Sequence, residues 1–252
     1  MAGIDTNRGA KRARELRAEL GMPADRPLDC LLTLVEQRLG IAVVFAVLPA
    51  GLDGACCRDG ARTMILVNGT HVPVRRRFTL AHELGHLRCD HRPDTGVRVF
   101  TTVHGKRTTS LENQANAFAA ELLAPAGYVR ALAEDRPPQI EDCARIGAAC
   151  GISAQSALYR LNALGLAGDG YEQMRAVLTG ELTERLRDEL GLPEYPDAIA
   201  AIGPADLPRL SPALTGSALA AMAAGRISAA TAARVASVDA AAMAGAAGLI
   251  GV

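Results

Sequence analysis

The sequence predicts an α+β protein: a small antiparallel sheet packed on helices, followed by an all-helical C-terminal region with helix-turn-helix-like pieces. Three observations lead there. Short β-branched runs alternate with segments of helical periodicity up to residue 123. Asp59-Gly60 stands between two extended halves, a hairpin turn signal. Beyond the break Asp135-Arg136-Pro137-Pro138, everything is helical in pattern.

Residues 1–27 form a charged N-terminal helix or extension, with Arg8, Lys11, Arg12, Arg14, Glu15, Arg17 and Glu19. Residues 28–40 (LDCLLTLVEQRLG) space their apolar positions as a helix and stop at Gly40. The run Ile41–Leu48 reads as a strand, and 55–68 as a hairpin whose second half, Met64-Ile65-Leu66-Val67, is apolar enough for a core. Helical spacing returns over 74–87, with Phe78, Leu80, Ala81 and Leu84. A further strand is expected at Val97–Val103 and a helix at Leu111–Leu123, with Ser110 as cap and Pro125 as stop. The expected division is 28–134 for the sheet-containing domain, 135–168 for a helix-turn-helix-like segment and 169–252 for an Ala-rich helical region. The pattern I-S-A-x-S/T-A occurs twice, at Ile152 and Ile227, each time after a glycine (Gly151, Gly225) and before a helix.

Composition excludes several functions. With 27 basic and 27 acidic side chains in 252 residues, no bulk charge draws the chain to nucleic acid or a membrane surface. Aromatics are 3% and Trp is absent, which argues against base-stacking platforms. The charged N-terminus lacks a signal-peptide core, and no stretch approaches the roughly 20 apolar residues of a membrane span. Six cysteines without a CxxC pair read as reduced, mostly buried thiols, so a cytoplasmic location is expected.

The sharpest feature is His82-Glu83-Leu84-Gly85-His86. Four residues along a helix are about 1.1 turns, so both imidazoles leave one face and can share a metal. Neutral imidazole suits zinc, and Glu83, on the adjacent edge, can take a proton from zinc-bound water without ligating. Chance is a poor rival: with 5 His in the chain, H-E-x-x-H is expected on the order of once in two hundred such sequences. A hydrolytic zinc site usually takes three protein ligands. The metzincin spacing fails, because Cys89 and Arg92 stand where Gly and His are needed. His91 lies half a turn off the ligand face, and His71 and His104 lie in loops. The better third ligand is Glu112, 26 positions after His86 in the first turn of the next helix. It also suits the helix dipole, a role compatible with ligation. Asn116, one turn on, can hydrogen-bond a ligand imidazole from behind.

The stretches Arg77-Phe78-Thr79-Leu80-Ala81-His82-Glu83-Leu84-Gly85-His86 and Glu112-Asn113-Gln114-Ala115-Asn116-Ala117-Phe118-Ala119-Ala120-Glu121-Leu122-Leu123-Ala124-Pro125 together resemble the ImmA/IrrE family of metallo-endopeptidases. The flanking Leu39-Gly40-Ile41, Ile65–Asn68 and Ala144–Leu166 are similar to family segments too, so the likeness covers roughly residues 28–166. The resemblance implies one zinc ion per chain, Glu112 as third ligand and Glu83 as general base. It departs at Ala124, where the family often has Met, and in a longer segment between the two motifs.

Three functions follow as expectations. The first is a zinc endopeptidase acting on a protein, which the resemblance implies is a helix-turn-helix transcriptional repressor of a mobile element or stress response. The second is a zinc-bound regulator that sequesters such a repressor uncut. The third is a DNA-binding regulator using the Ala144–Leu166 or the Leu219–Val235 pair, disfavoured because the stretch Ser153–Leu164 carries Arg160 as its one cation. Tyr128 and Tyr171 are candidate oxyanion donors by type alone.

Overall fold

The apolar run after Gly40 forms the edge of a sheet, and the helix carrying both histidines packs across one face of it. The structure is a computed structural model that describes residues 2–59, 62–89, 98–103, 109–133, 136–193 and 198–236. Its strands are β1 (Ala42–Ala46), β2 (Leu52–Asp59), β3 (Arg62–Asn68) and β4 (Arg98–Val103), in the spatial order β1-β3-β2-β4. β2 pairs antiparallel with β3 and β4, whereas β1 runs parallel to β3, with Ala42 opposite Met64 and Ala46 opposite Asn68.

The sheet is therefore mixed, not antiparallel as the sequence predicts. The chain reverses after β1 and again after β2, so β3 regains the direction of β1. β3 then inserts between its two predecessors instead of adding to the outside. Strand order of this kind leaves no mark on apolar periodicity. The predicted hairpin forms, with Asp59 paired to Arg62, and residues 60–61 lie outside the described residues.

The helix read over 28–40 is shorter: α2 (Leu31–Thr33) runs into a π turn at Leu34–Arg38. α3 spans Pro73–Arg88 and opens with proline in its first turn, where the missing N–H costs nothing. α4 spans Ser110–Leu123, and its cap is Thr109, not Ser110: Glu112 N donates to Thr109 Oγ1 at 3.3 Å. Ser110 is already the first helical residue.

α1 (Ala2–Glu19) joins the core, with Ala13 and Leu16 wholly buried against α4. The buried Arg17 donates to Leu122 O at 2.8 Å and to the carbonyls of Pro23 and Arg26. After α5 (Ala126–Leu132), α6 (Ile140–Cys150) and α7 (Ala154–Ala163) form the first helix-turn-helix-like pair, Gly151 between them at φ +63°. Arg136, in the predicted linker, grips Asp142 of α6 through both its terminal nitrogens at 2.8 and 2.9 Å. α8 (Tyr171–Val177), α9 (Gly180–Glu189), α10 (Pro212–Ala223) and α11 (Ala229–Ala236) complete the described helices. The stretch before α10 is tied to the edge of β1. Phe45 and Arg209 exchange two backbone hydrogen bonds of 2.9 Å, and the Arg209 guanidinium pairs with Glu36. That covers part of an apolar strand edge.

All six cysteines are free, and Cys56, Cys89, Cys143 and Cys150 are buried. Burial pushes the Cys89 thiol up to about 11 and those of Cys143 and Cys150 up to about 12, so all three stay protonated. Among the described residues no helix is long and apolar enough to cross a membrane.

Arg160 turns inward from α7. It is 7% exposed, donates from Nε to Ala124 O at 2.9 Å and pairs with the buried Glu121 of α4. Removing one partner of a buried pair strands the other's charge, so Arg160→Met is expected to lower stability by about 3 kcal/mol. A shift of the urea midpoint checks this; an unchanged midpoint would mean that Glu121 is satisfied without it.

Candidate metal centre

Helical spacing sets the first two groups: His82 and His86, one turn apart on α3, bring their rings to 4.8 Å between centroids in an edge-to-face arrangement. Their Nε2 atoms are 3.0 Å apart. Glu112, from the first turn of α4, meets both, with Oε2 3.1 Å from His82 Nε2 and Oε1 3.3 Å from His86 Nε2. His82 and His86 are 3% and 1% exposed, while the Glu112 side chain stays 29% open to solvent. The cluster thus has a buried floor and one open side.

Gly85 explains how α4 comes so near. A Cβ at that position would stand 3.1 Å from the Cα and from the carbonyl oxygen of Ala115, and 3.1 Å from Phe118 Cβ. A side chain there would hold the helices apart. One turn beyond Glu112, Asn116 Oδ1 accepts from His82 Nδ1 at 2.9 Å. In the neutral ring that bond fixes the tautomer, with the proton on Nδ1 and the Nε2 lone pair of His82 facing His86 and Glu112.

The electrostatics suit a cation. Hydrogen bonds from His82 and then His86 hold the Glu112 carboxyl far below the usual carboxylate range, so it is an anion at any working pH. Burial resists charge on His82, but Glu112, the nearby Glu83 and Asn116 outweigh it and raise the imidazole pKa above its ordinary value. Two imidazole nitrogens and a carboxylate converging on one point need either a shared proton or a metal ion. Ligand atoms about 2.0–2.2 Å from a tetrahedral zinc ion stand about 3.3–3.5 Å apart, close to the spacing seen. The residues present therefore fit a metal of this kind, and His82, His86 and Glu112 are the group that could hold it.

Glu83 follows His82 on α3, is wholly buried, and lies against Gly54 of β2. Among the described residues the one other histidine does not join: His71 lies just before α3, its Nε2 3.7 Å from Asp53, while His91 and His104, like Arg92, fall outside the described residues. Cys89 caps the end of α3 and is buried. Tyr128 is on α5, which follows the end of α4 away from Glu112, and is part-buried against the main core. Tyr171 packs against the main core from α8.

Sequence reasoning missed Gly54, Gly85, Asp53 and Arg75. A signal was present for Gly85 alone: glycine inside a helix costs about 1 kcal/mol against alanine, which calls for a packing reason.

With the site assembled, comparison with known proteins becomes specific. The IrrE N-terminal-like domain matches residues 36–162, which hold α3, α4 and the whole sheet. The chain belongs to that family. It is similar to the radiation response metalloprotease IrrE of Deinococcus radiodurans, 34% identical over 109 residues, which are 41% of this chain and 33% of that protein. It is also similar to the protein of the same description from Deinococcus deserti, 34% identical over 152 residues, 60% of this chain and 52% of that one. The chain spans a third to about half the length of these relatives.

Asn116→Ala is expected to weaken metal binding by about 10–100-fold while leaving the ligands in place, and Glu112→Ala to lower metal retained after dialysis. Competition with a chromophoric chelator measures both, and full retention by Glu112→Ala would move the third ligand elsewhere. Because a proton on His82 competes with the metal, affinity should keep rising with pH until above the ordinary imidazole range.

Proposed function

We propose that this protein is a zinc-dependent endopeptidase that cuts a helix-turn-helix transcriptional repressor. One observation carries the reading: a three-donor set open on one side, with a second carboxylate, Glu83, on the same helix and outside that set. A structural zinc would need neither the open side nor Glu83. Family membership agrees with this, and the relatives' description as radiation response metalloproteases supports a stress-response setting.

Zinc held by His82, His86 and Glu112 would supply Lewis-acid polarisation of the attacking water and of the scissile carbonyl. Glu83 would accept the water's proton on its carboxylate as the C–O bond forms. It would then return a proton to the departing amide nitrogen as the C–N bond breaks. Asn116 would keep His82 aligned through Nδ1 throughout.

The DNA-binding alternative loses the one cation of the second helix in the first of its two candidate pairs. Arg160 is buried against Ala124 and Glu121, so the outward face of α7 offers Gln155, Tyr159 and Asn162. None of these carries the charge that phosphate contacts require. The sequestering alternative keeps the same metal site and is separated by one variant.

Glu83→Gln should retain the metal and lose about 10²–10⁴-fold in cleavage. Used as a trap in lysate of the source organism, it should retain a repressor that wild-type protein with zinc cuts and that a chelator protects. Cleavage by Glu83→Gln at the wild-type rate would refute the assigned base. A captured repressor left intact by wild-type protein would establish sequestration instead.

A further inference from the structure

In a regular strand, consecutive side chains point to opposite faces of the sheet. Residues 53 and 54 of β2 break that rule, for both reach α3. The Asp53 carboxylate accepts from Arg75 at 2.8 Å, and a Cβ on Gly54 would lie 2.6 Å from Thr79 Cγ2 and 3.2 Å from Glu83 Oε1. The pairing of β2 with β4 shows how. Leu52 sits opposite Val103 but Gly54 opposite Thr102, so Asp53 is the extra residue of a β-bulge. Arg75, Thr79 and Glu83 are four residues apart in turn and form one stripe along α3. The bulge lies along that stripe, pinned at its first turn by an ion pair and meeting the Glu83 carboxylate at its third.

We propose that the Asp53-Gly54 bulge is the positioning element for Glu83. Gly54 leaves space for the carboxylate that any side chain would occupy. Its backbone, backed by Leu66 O of β3 3.0 Å from the Cβ position, walls that carboxylate on one side. Glu83 has three rotatable torsions, and a base that must meet a proton at one point gains rate from losing that freedom in advance. Asp53 and Arg75 act at one remove, by holding the bulge against α3. Asp53 is 8% exposed, whereas the Arg75 side chain is 39% exposed, so Arg75 can be altered without opening the core. None of the three residues belongs to the His82–His86–Glu112 cluster, so their effect should spare metal binding.

This inference rests on Glu83 being the proton acceptor, and the test separates the two. The probe is acetohydroxamate, which chelates a metal through its two oxygens and shares its hydroxyl proton with an adjacent carboxylate. Zinc content and acetohydroxamate affinity are measured on the full chain for wild type, Gly54→Ala, Arg75→Met, Arg75→Lys and Glu83→Gln. Gly54→Ala and Arg75→Met should keep one zinc per chain and lose at least tenfold in acetohydroxamate affinity, as Glu83→Gln does, with Arg75→Lys recovering most of the loss. Wild-type affinity in Gly54→Ala and Arg75→Met beside a weakened Glu83→Gln would overturn the positioning role alone. Unchanged affinity in Glu83→Gln would overturn the base assignment and the inference with it. Loss of zinc from Arg75→Met would show general support of the centre, and would also overturn the proposal. Should Gly54→Ala fail to fold, the two Arg75 variants decide.

Discussion

Backbone meets backbone where α3 crosses α4: the space a Cβ on Gly85 would fill ends 3.1 Å from the carbonyl oxygen of Ala115. The candidate metal centre depends on that approach. Its two imidazoles come from α3 and its carboxylate from α4, and the carboxylate must arrive within 3.1–3.3 Å of both nitrogens. Larger side chains at the crossing would hold α4 further from α3 and draw the Glu112 carboxylate away from the two nitrogens. Small residues at the crossing, Gly85 and Ala115, remove the obstacle. Asn116, on the same turn of α4, then comes near enough to hold His82 from behind.

A neighbouring side of α4 is crowded as well. On α1, Gly9 lies so close to α4 that a Cβ there would stand 2.0 Å from Gln114 O. α4 is thus clamped between two helices through glycines, one from each neighbour. Its C-terminal half is held by charge instead. Glu121 takes Arg160 from α7 and, at 3.6 Å, Arg14 from α1, and Arg17 reaches the Leu122 carbonyl. Buried ion pairs contribute little net stability, yet they are costly to break singly. Their effect here is to admit few alternative placements of the helix that carries Glu112.

How much of this was legible depends on the range of each interaction. The ligand spacing of His82 and His86 is local, set by one helical turn, and so was the relation of Glu112 to Asn116. Element boundaries along α3 and α4 came within a residue or so for the same reason, with the cap misplaced by one because Thr109 and Ser110 are equally good by type. What stayed hidden is what two distant segments do to each other. Nothing in Ala42–Ala46 says that it lies beside β3 and not β2. Asp53 stands outside the predicted hairpin of residues 55–68, and its bulge exists only against β4. Arg160 reads as a surface cation on a recognition-type helix, and only Glu121, 39 positions away, makes it a buried one.

The repeated I-S-A-x-S/T-A pattern draws the line between local and tertiary information most clearly. In both copies the preceding glycine takes a left-handed conformation, Gly151 at φ +63° and Gly225 at φ +67°, and the serine caps the next helix. Ser153 accepts from Ser156 N at 3.0 Å, and Ser228 from Thr231 N at 3.2 Å. The same residues thus write the same turn twice. Their surroundings differ because the helices that follow differ. α7 contributes Leu158 and Leu161 to the main core, whereas α11 offers Ala232 and Ala233 to a small separate cluster with Ala218. Alanine buries too little apolar area to anchor a helix pair strongly. The first pair is accordingly built into the body that carries the candidate metal centre, its cation spent on Glu121, and the second is held by that small cluster, with Leu219, Met222 and Ile227 part-buried against it, and by the Arg209 clasp on Glu36 just before it. A helix-turn-helix pattern read from sequence therefore specifies a turn, and what that turn is for follows from which of its side chains the rest of the fold consumes.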